Sequence, residues 1–182
     1  MEHIIQQTVE ALRLGKTILY PTDTIWGLGC DARNAAAVER LYTIKGRDRN
    51  KSMLVLVQNL EFGIQGYGER PTTYILPRGV WYDEMGIEVA SNLPADDGTL
   101  GVRCPRHHFC QEVLQRLGAP LVSTSANFSG RPSPHTYYDI EEELKRQVDW
   151  CVPPLETLLS LESEGSRIVK VGEDGSQVII RP

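Results

Sequence analysis

The sequence lacks any long run of apolar residues, which excludes the common type of membrane-spanning helix. No stretch approaches the roughly 20 consecutive apolar residues that such a helix needs. The first residues, Met1 to Gln7, also lack the basic start and apolar stretch of a secretory signal. The sequence contains no Cys-x-x-Cys pair, which favours reduced thiols over a disulfide framework. We therefore expect a cytoplasmic protein with no membrane partner.

Excess positive charge is also missing, since the formal net charge is -5. A protein that grips a phosphate backbone over a wide surface normally carries the opposite sign, so any nucleic-acid contact would have to be local. Positive charge is concentrated in residues 45–51, which hold four cations. This cluster suits a compact polyanion such as a triphosphate, although a solvated loop explains it equally well. The chain has no Gly-x4-Gly-Lys-Ser/Thr motif, so it is not a P-loop protein.

The sequence does contain an alternation of helical and extended segments. Its 182 residues suit a single domain spanning residues 1–182. Helical spacing of apolar residues predicts helices at 2–14, 35–44 (capped by Asn34), 109–117 and 137–148. Short apolar or β-branched runs predict strands at 17–20, 53–57, 72–76, 87–90, 99–103, 121–124, 151–152, 168–171 and 178–180. Early strand-helix-strand crossovers and a late series of strands predict an α/β fold with a mixed sheet.

Three polar segments follow predicted strands, where open α/β sheets usually place their ligands. They cover residues 21–29, 45–51 and 123–133. The first alternates hydroxyls with a carboxylate, the second is cationic, and the third is rich in serine. An Arg beside a Lys can stabilise the negative charge that develops in nucleotidyl transfer. Each segment also has a simpler interpretation: a turn that satisfies its own backbone, a solvated helix end, or a polar surface loop.

A group of possible metal ligands occurs at Cys104, His107, His108 and Cys110. Because Pro105 is expected to start a helix, helical periodicity would direct these groups to different sides. No second pair of ligands completes a zinc site. We therefore predict ordinary helix residues here and no metal site.

Taken together, the motifs resemble those of the threonylcarbamoyl-AMP synthases of the TsaC/YrdC type. The resemblance spans nearly the whole chain and depends on five segments in order: 18–24, Lys45-Gly46-Arg47, 101–105, 123–130 and 180–182. It implies a twisted mixed sheet with flanking helices around a concave, positively charged cavity. It also implies a reaction in which L-threonine captures bicarbonate or CO2 as an N-carboxylate. That carboxylate then attacks the α-phosphate of ATP and expels pyrophosphate, leaving threonylcarbamoyl-AMP.

The resemblance further implies a role for individual residues. The threonine side comprises Thr24, Arg103, Ser123 and Ser166. The nucleotide side comprises Arg47, Lys51, Thr99, Ser125, Asn127, Ser133 and Arg181. Lys45 and Arg47 are the catalytic candidates. Positioning and charge stabilisation can supply the rate, so no general base is nominated.

The partners implied by the resemblance are small molecules and one protein. L-Threonine, bicarbonate or CO2, and ATP are the substrates, and Mg²⁺ is expected to accompany ATP. A separate tRNA threonylcarbamoyltransferase would take the product, and weak or local RNA contact is compatible with the charge. The chain would be the short form, without the extra C-terminal domain of some relatives.

Two departures from the family pattern and two rival functions accompany this hypothesis. Residues 70–74 stand where many members have a segment rich in Pro-Gly-Pro, and Ser166 is followed by Arg167 instead of Thr, so that Arg167 could reach the nucleotide. The main rival is a paralogue that serves as an RNA-binding or ribosome-associated module without synthase activity. The other is carbamoyl transfer from a different donor, as in related domains of hydrogenase-maturation proteins, which are much larger.

Overall fold

The computed structural model describes residues 1–48, 52–60, 70–154 and 165–182. Lys51, one of the predicted nucleotide-side residues, lies outside this part of the chain. The helices are α1 (Glu2–Arg13), α2 (Ala35–Lys45), α3 (His108–Leu117) and α4 (Glu142–Gln147). The strands are β1 (Ile18–Tyr20), β2 (Gly27–Gly29), β3 (Leu54–Leu56), β4 (Thr72–Leu76), β5 (Leu100–Arg103), β6 (Leu121–Ser125), β7 (Trp150–Cys151), β8 (Arg167–Val171) and β9 (Gln177–Arg181).

The nine strands form a mixed sheet in the order β7-β1-β2-β6-β3-β5-β4-β8-β9. The pairs β1/β7, β3/β5 and β4/β8 are parallel, and the other neighbours are antiparallel. Parallel pairs need crossover connections, and the helices that flank the sheet lie in or beside those crossovers. The predicted α/β class with a mixed sheet and flanking helices is confirmed.

The predicted second helix begins where its sequence indicates. The side chain of Asn34 accepts a hydrogen bond from the backbone N–H of Ala37 at 3.0 Å, which satisfies one of the free donors at the helix start. The helix ends at Gly46, whose φ of 59° lies in the left-handed region. This end places Lys45 and Arg47 on either side of the turn, next to the polar cavity described below.

Strand β2 was not predicted, because its Gly-Leu-Gly sequence indicates a loop. The structure shows why glycine stands in this strand. A Cβ on Gly29 would lie 2.4 Å from the backbone oxygen of Val122 and 2.8 Å from the ring of Tyr20. Absence of a side chain therefore lets the chain approach β1 and β6 closely enough to join them.

The predicted strand at residues 87–90 is wrong. Exposed Glu88 lies between buried Ile87 and half-buried Val89, a pattern that resembles alternation, but the backbone forms no ladder there. Its amides instead make single long-range contacts, such as Ala90 N–H to the oxygen of Ala32 at 2.8 Å. This segment follows an unpredicted π-helical turn, Gly79–Glu84, and has no regular secondary structure.

The predicted helix at 137–148 is wrong in its first part. A short 3-10 turn occupies Tyr137–Asp139, and Ile140 is extended, with ψ of 127°, before α4 begins at Glu142. The cause is local: Thr136 donates from its N–H and its hydroxyl to Asp139 Oδ2 at 2.8 and 2.9 Å. This capping box stabilises a separate turn.

The helix expected to start at Pro105 begins instead at His108. The Sγ of Cys110 donates to the backbone oxygen of Pro21, and that of Cys104 donates to the oxygen of Gln58. These two thiols therefore take unrelated partners. Among the described residues, no helix is long and apolar enough to cross a bilayer.

Candidate functional site

A cavity of about 370 Å³ opens on one face of the sheet. Side chains alternate along a strand, so neighbouring residues of β4 point to opposite faces of the sheet. On β4, Thr73 and Ile75 line the cavity, whereas the intervening Tyr74 is buried on the other face. Gly101 of β5 contributes to the same surface, and a Cβ there would lie 3.1 Å from the Cβ of Leu54. The strands at the centre of the sheet thus form the base of the cavity.

Most of the predicted site residues line this cavity. They are Thr24, Arg47, Thr99, Arg103, Ser123, Ser125, Ser133, Ser166 and Arg181. No Asp or Glu is found among the described residues that line it. The cavity therefore combines hydroxyl groups with three arginines, a donor set suited to carboxylate and phosphate groups.

Arg103 lies at the end of β5 with only 3% of its side chain exposed. Its Nη1 donates to the hydroxyl of Thr24 at 3.0 Å and lies 3.1 Å from Oδ1 of Asp23. The other oxygen of Asp23 accepts the backbone N–H of Arg106 at 3.0 Å. The simpler interpretation of residues 21–29, a turn that satisfies its own backbone, is correct only for Thr22. Its hydroxyl accepts the N–H of Thr24 at 3.1 Å. Asp23 instead reaches across to β5 and its following loop.

Ser166 and Thr73 form a second hydroxyl contact in the cavity wall. Their Oγ and Oγ1 atoms lie 2.7 Å apart, and both residues are buried. The backbone oxygen of Ser166 accepts the Nε–H of Arg181 at 2.9 Å. Thr73 was not among the predicted site residues, although the strand period that places Ile75 on this face also places Thr73 there.

Positive charges converge near Arg181. Burial lowers the pKa of Arg181, and the neighbouring charges of Arg70 and Arg103 lower it further. Burial likewise lowers the pKa of Arg47, which donates from Nη2 to the backbone oxygen of Ser52 at 3.0 Å. Because like charges repel at short distance, an anion bound in this cavity would relieve the mutual repulsion of these side chains.

Lys45 does not line the cavity but lies behind its wall, with 2% exposure. Its Nζ donates to the backbone oxygens of Ser125 and Asn127 at 2.6 and 2.9 Å, and to both of their side-chain oxygens at 3.2 Å. Burial, with a smaller effect of Arg47, lowers its pKa to about 7. Asn127 also lies behind the wall, since it is absent from the described lining residues. Lys45 thus holds the loop that presents Ser125.

Two further residues occupy positions that limit what they can do. The hydroxyl of Thr99 donates to Oδ1 of Asp97 at 2.6 Å, so towards a ligand it can only accept. Arg167 pairs in register with Thr72, on the face of the sheet opposite to Thr73 and Ser166. Burial raises the pKa of the Tyr74 hydroxyl, and the positive charge of Arg167 partly offsets that rise. The expectation that Arg167 could reach a nucleotide is therefore wrong for this arrangement.

Comparison with known proteins agrees with this geometry. The Sua5_yciO_yrdC family model, described as telomere recombination, matches residues 10–182. A protein of Pseudomonas fluorescens named threonylcarbamoyl-AMP synthase is 31% identical over 159 residues, covering 80% of this chain and 82% of that protein. A Xanthomonas campestris protein of the same name is also 31% identical, over 154 residues with the same coverage of both chains.

Among solved structures, that of P. abyssi Sua5 complexed with L-threonine matches with a TM-score of 0.77 and 24% identity. It covers 98% of this chain, which spans about half (53%) of the longer Sua5 chain. At this level of identity the match supports the fold alone. The matches in sequence and in fold lead to one assignment: the chain belongs to the Sua5/YciO/YrdC family.

Proposed function

We propose that this protein is a threonylcarbamoyl-AMP synthase, which joins L-threonine, bicarbonate or CO2, and ATP to form threonylcarbamoyl-AMP and pyrophosphate. One observation carries the proposal. Three arginines and several hydroxyls line a single cavity, with no described carboxylate among them, in a chain 31% identical to proteins that bear the synthase name. The curated names favour this function over the RNA-binding alternative.

The threonine side of the reaction is assigned to the wall formed by Arg103, Thr24, Ser123 and Ser166. A guanidinium recognises a carboxylate through parallel N–H bonds, and the neighbouring hydroxyls can bond the amine and hydroxyl of the amino acid. Support comes from the contact between Arg103 and Thr24, which places cation and hydroxyl 3.0 Å apart at the cavity surface.

The nucleotide side is assigned to Arg47, Arg181, Thr99, Ser125 and Ser133, with Asn127 supporting Ser125. Arg47 and Arg181 would neutralise phosphate oxygens, because both guanidinium groups line the cavity, where burial lowers their pKa values. Lys51 keeps its predicted phosphate role, although it lies outside the described residues. Thr99 fits an amino group of the base, since its own hydroxyl proton is already donated to Asp97.

The chemistry requires little from the protein beyond position and charge. The threonine amine adds to carbon dioxide and loses a proton, or adds to bicarbonate with loss of water, to give an N-carboxylate. One oxygen of that carboxylate then bonds to the α-phosphorus of ATP. The bond from that phosphorus to the bridging oxygen breaks, and pyrophosphate leaves with the electron pair. Negative charge grows on the phosphoryl oxygens in this step, and fixed arginines lower the barrier by stabilising it.

Lys45 has a supporting place in this mechanism. Its four oxygen contacts fix the backbone and hydroxyl of Ser125 at the cavity wall, so that its contribution to rate would come through the shape of the loop. Mg²⁺ would enter with ATP as part of the substrate. Since no described carboxylate lines the cavity, phosphate oxygens and water would hold it.

The proposed partners follow from the product. Threonylcarbamoyl-AMP is an activated mixed anhydride, so a separate tRNA threonylcarbamoyltransferase must receive it before water destroys it. Any direct RNA contact would be local, because the net charge of the chain is -5. A cytoplasmic location would fit this reaction, because ATP and tRNA are available there.

Pyrophosphate release from ATP tests the proposal directly. The complete mixture should release pyrophosphate, and omission of L-threonine or of bicarbonate should abolish it. The adenylate product should be identified by mass spectrometry with labelled bicarbonate, because threonine-independent ATP hydrolysis also releases phosphate. Strong binding of tRNA without any threonine-dependent pyrophosphate would instead support the RNA-binding module.

A further inference from the structure

We propose that Asp23 is a positioning residue that fixes the guanidinium of Arg103 for the carboxylate of L-threonine. This inference rests on the proposed function, since it concerns how the threonine side of that site is held. Asp23 does not line the cavity, whereas its neighbours Thr22 and Thr24 do. Its influence on the substrate must therefore pass through Arg103.

The two side chains form a buried ion pair. The side chain of Arg103 is 3% exposed and that of Asp23 is 4% exposed, and the distance from Nη1 to Oδ1 is 3.1 Å. A buried guanidinium without a nearby anion would be strongly disfavoured, so Asp23 permits Arg103 to sit at the end of β5. Nothing else in the described cavity wall offers a carboxylate for this purpose.

The geometry of the pair leaves part of the guanidinium available. Nη1 donates to the hydroxyl of Thr24 and lies 3.1 Å from Oδ1 of Asp23, which accepts no hydrogen bond from the described residues, so the contact with Asp23 is an ion pair. Within the described part of the chain, Nε has no hydrogen-bond partner, although it is buried. The protein thus holds the guanidinium from one end. A substrate carboxylate, which prefers two parallel N–H bonds, can then be received by donors that Asp23 leaves unused.

Asp23 is itself held firmly. Its Oδ2 accepts the backbone N–H of Arg106 at 3.0 Å, which links the loop after β1 to the loop after β5. Thr24 is held in turn by Thr22, whose hydroxyl lies 3.0 Å from that of Thr24. Asp23 and Thr24, which contact Arg103, are thus each restrained by a further contact. Two loops therefore fix the position of the Arg103 guanidinium, although the side chain itself is flexible.

Positioning and simple charge compensation predict different kinetics. In Asp23→Asn the carboxylate is lost but Arg103 remains charged, so attraction between Arg103 and the threonine carboxylate should persist or increase. The orientation of the bound threonine should suffer, because the guanidinium is no longer held. We expect kcat to fall about 10- to 100-fold, the effect of misplacing a reactant, while the KM for L-threonine rises less than about threefold.

The experiment measures kcat and KM for L-threonine by threonine-dependent pyrophosphate release in wild type, Asp23→Asn and Asp31→Asn. Asp31 is the matched control, because it is a buried carboxylate that pairs with Arg33 and does not line the cavity. Asp31→Asn should keep both constants. Rates are corrected for the folded fraction by circular dichroism. In an Arg103→Lys background, Asp23→Asn should lower kcat by less than about threefold, because its effect requires the guanidinium.

Several results would overturn the inference. Wild-type turnover in folded Asp23→Asn would do so, and so would an undiminished effect of that change in the Arg103→Lys background. If Asp23→Asn does not fold, Asp23→Glu serves instead: it keeps the charge but lengthens the side chain by one methylene. Folded Asp23→Glu with wild-type kcat would equally overturn positioning. A wild type that releases no threonine-dependent pyrophosphate would overturn the proposed function itself, which is a separate outcome.

Discussion

Lys45 and Asn127 are joined by two hydrogen bonds, from Nζ of Lys45 to the backbone oxygen of Asn127 at 2.9 Å and to its Oδ1 at 3.2 Å. The same Nζ bonds Ser125, so one buried cation ties the end of α2 to the loop after β6. This contact joins two of the segments that carry the family resemblance, although they lie far apart in sequence. Because Lys45 is buried only in the folded protein, its protonation depends on folding.

The stability of the protein should therefore depend on pH through Lys45. Its pKa falls from 10.5 to about 7 on folding. Between these two pH values, Lys45 is therefore protonated in the unfolded state and largely deprotonated in the folded state. Stability should rise with pH across this range, by up to about 1.4 kcal/mol per unit from this group, and the contribution should be lost below about pH 7. Urea denaturation at pH 7.5 and 9 should show a steeper rise for wild type than for Lys45→Met. Parallel slopes would contradict the lowered pKa.

Replacement of Arg47 by alanine should abolish most activity without unfolding the protein. Arg47 lines the cavity, so its loss should lower kcat/KM about 100-fold, as when one transition-state donor is removed. Steady-state pyrophosphate release measures the loss, and thermal unfolding checks the fold. Arg33→Ala is the control, because Arg33 is 45% exposed and pairs with Asp31 away from the cavity. Similar activity in the two variants would remove Arg47 from the phosphate role.

Gly29→Ala should destabilise the protein by about 3 kcal/mol or more, the upper range for an added methyl in a tight site. Its Cβ would lie 2.4 Å from the oxygen of Val122, and a backbone atom cannot move aside without disturbing β6. Gly79→Ala provides the comparison, because outside its own turn and chain neighbours no described atom lies within 4 Å of the Cβ it would add. Chemical denaturation of both variants tests this, and equal stabilities would refute the close approach of β2 to its neighbours.

Gly165→Ala should affect ATP more than stability. The added Cβ would lie 2.9 Å from Nη2 of Arg181, the far end of a flexible side chain that can turn away. Arg181 would then leave the cavity, and the KM for ATP should rise about 10-fold, as expected when one charged hydrogen bond is lost. The melting temperature should change by no more than a few degrees. An unchanged KM for ATP would show that Arg181 does not contact the nucleotide.

Sequence patterns identified most of the sheet because they report burial and period. Asn34 predicted its helix start correctly, and the unbroken apolar run at Met53–Val57 predicted β3. The failures arose where long-range packing decided local structure. The sequence predicts a loop at Gly29, because it does not show that the backbone oxygen of Val122 lies next to this residue. Ile87 and Val89 alternate with Glu88 as in a strand, yet residues 87–90 pair with no strand in the described part of the chain.

The site was predicted in its composition more than in its geometry. Arg47, Arg103 and Arg181 were named through the family resemblance, and the structure brings all three to one cavity. The sequence could not separate a residue that faces the cavity from one that supports it, as with Lys45 behind the wall. Thr73 was missed. The only signal for it is the two-residue alternation of β4, which places Thr73 on the same face as Ile75, and threonine is common in strands. Asp23 looked like a local turn residue because its partner lies on β5, far along the chain.

The sheet order has a consequence for how the cavity comes into being. Arg47 follows α2, Arg103 ends β5, and Arg181 ends β9, at the edge of the sheet. Contacts between such distant segments close late in folding, because each large loop costs entropy before it gains any interaction. A partly assembled chain would thus contain isolated cations but no anion site. Binding of ATP would then select, and by mass action stabilise, only molecules whose edge strands are already in place.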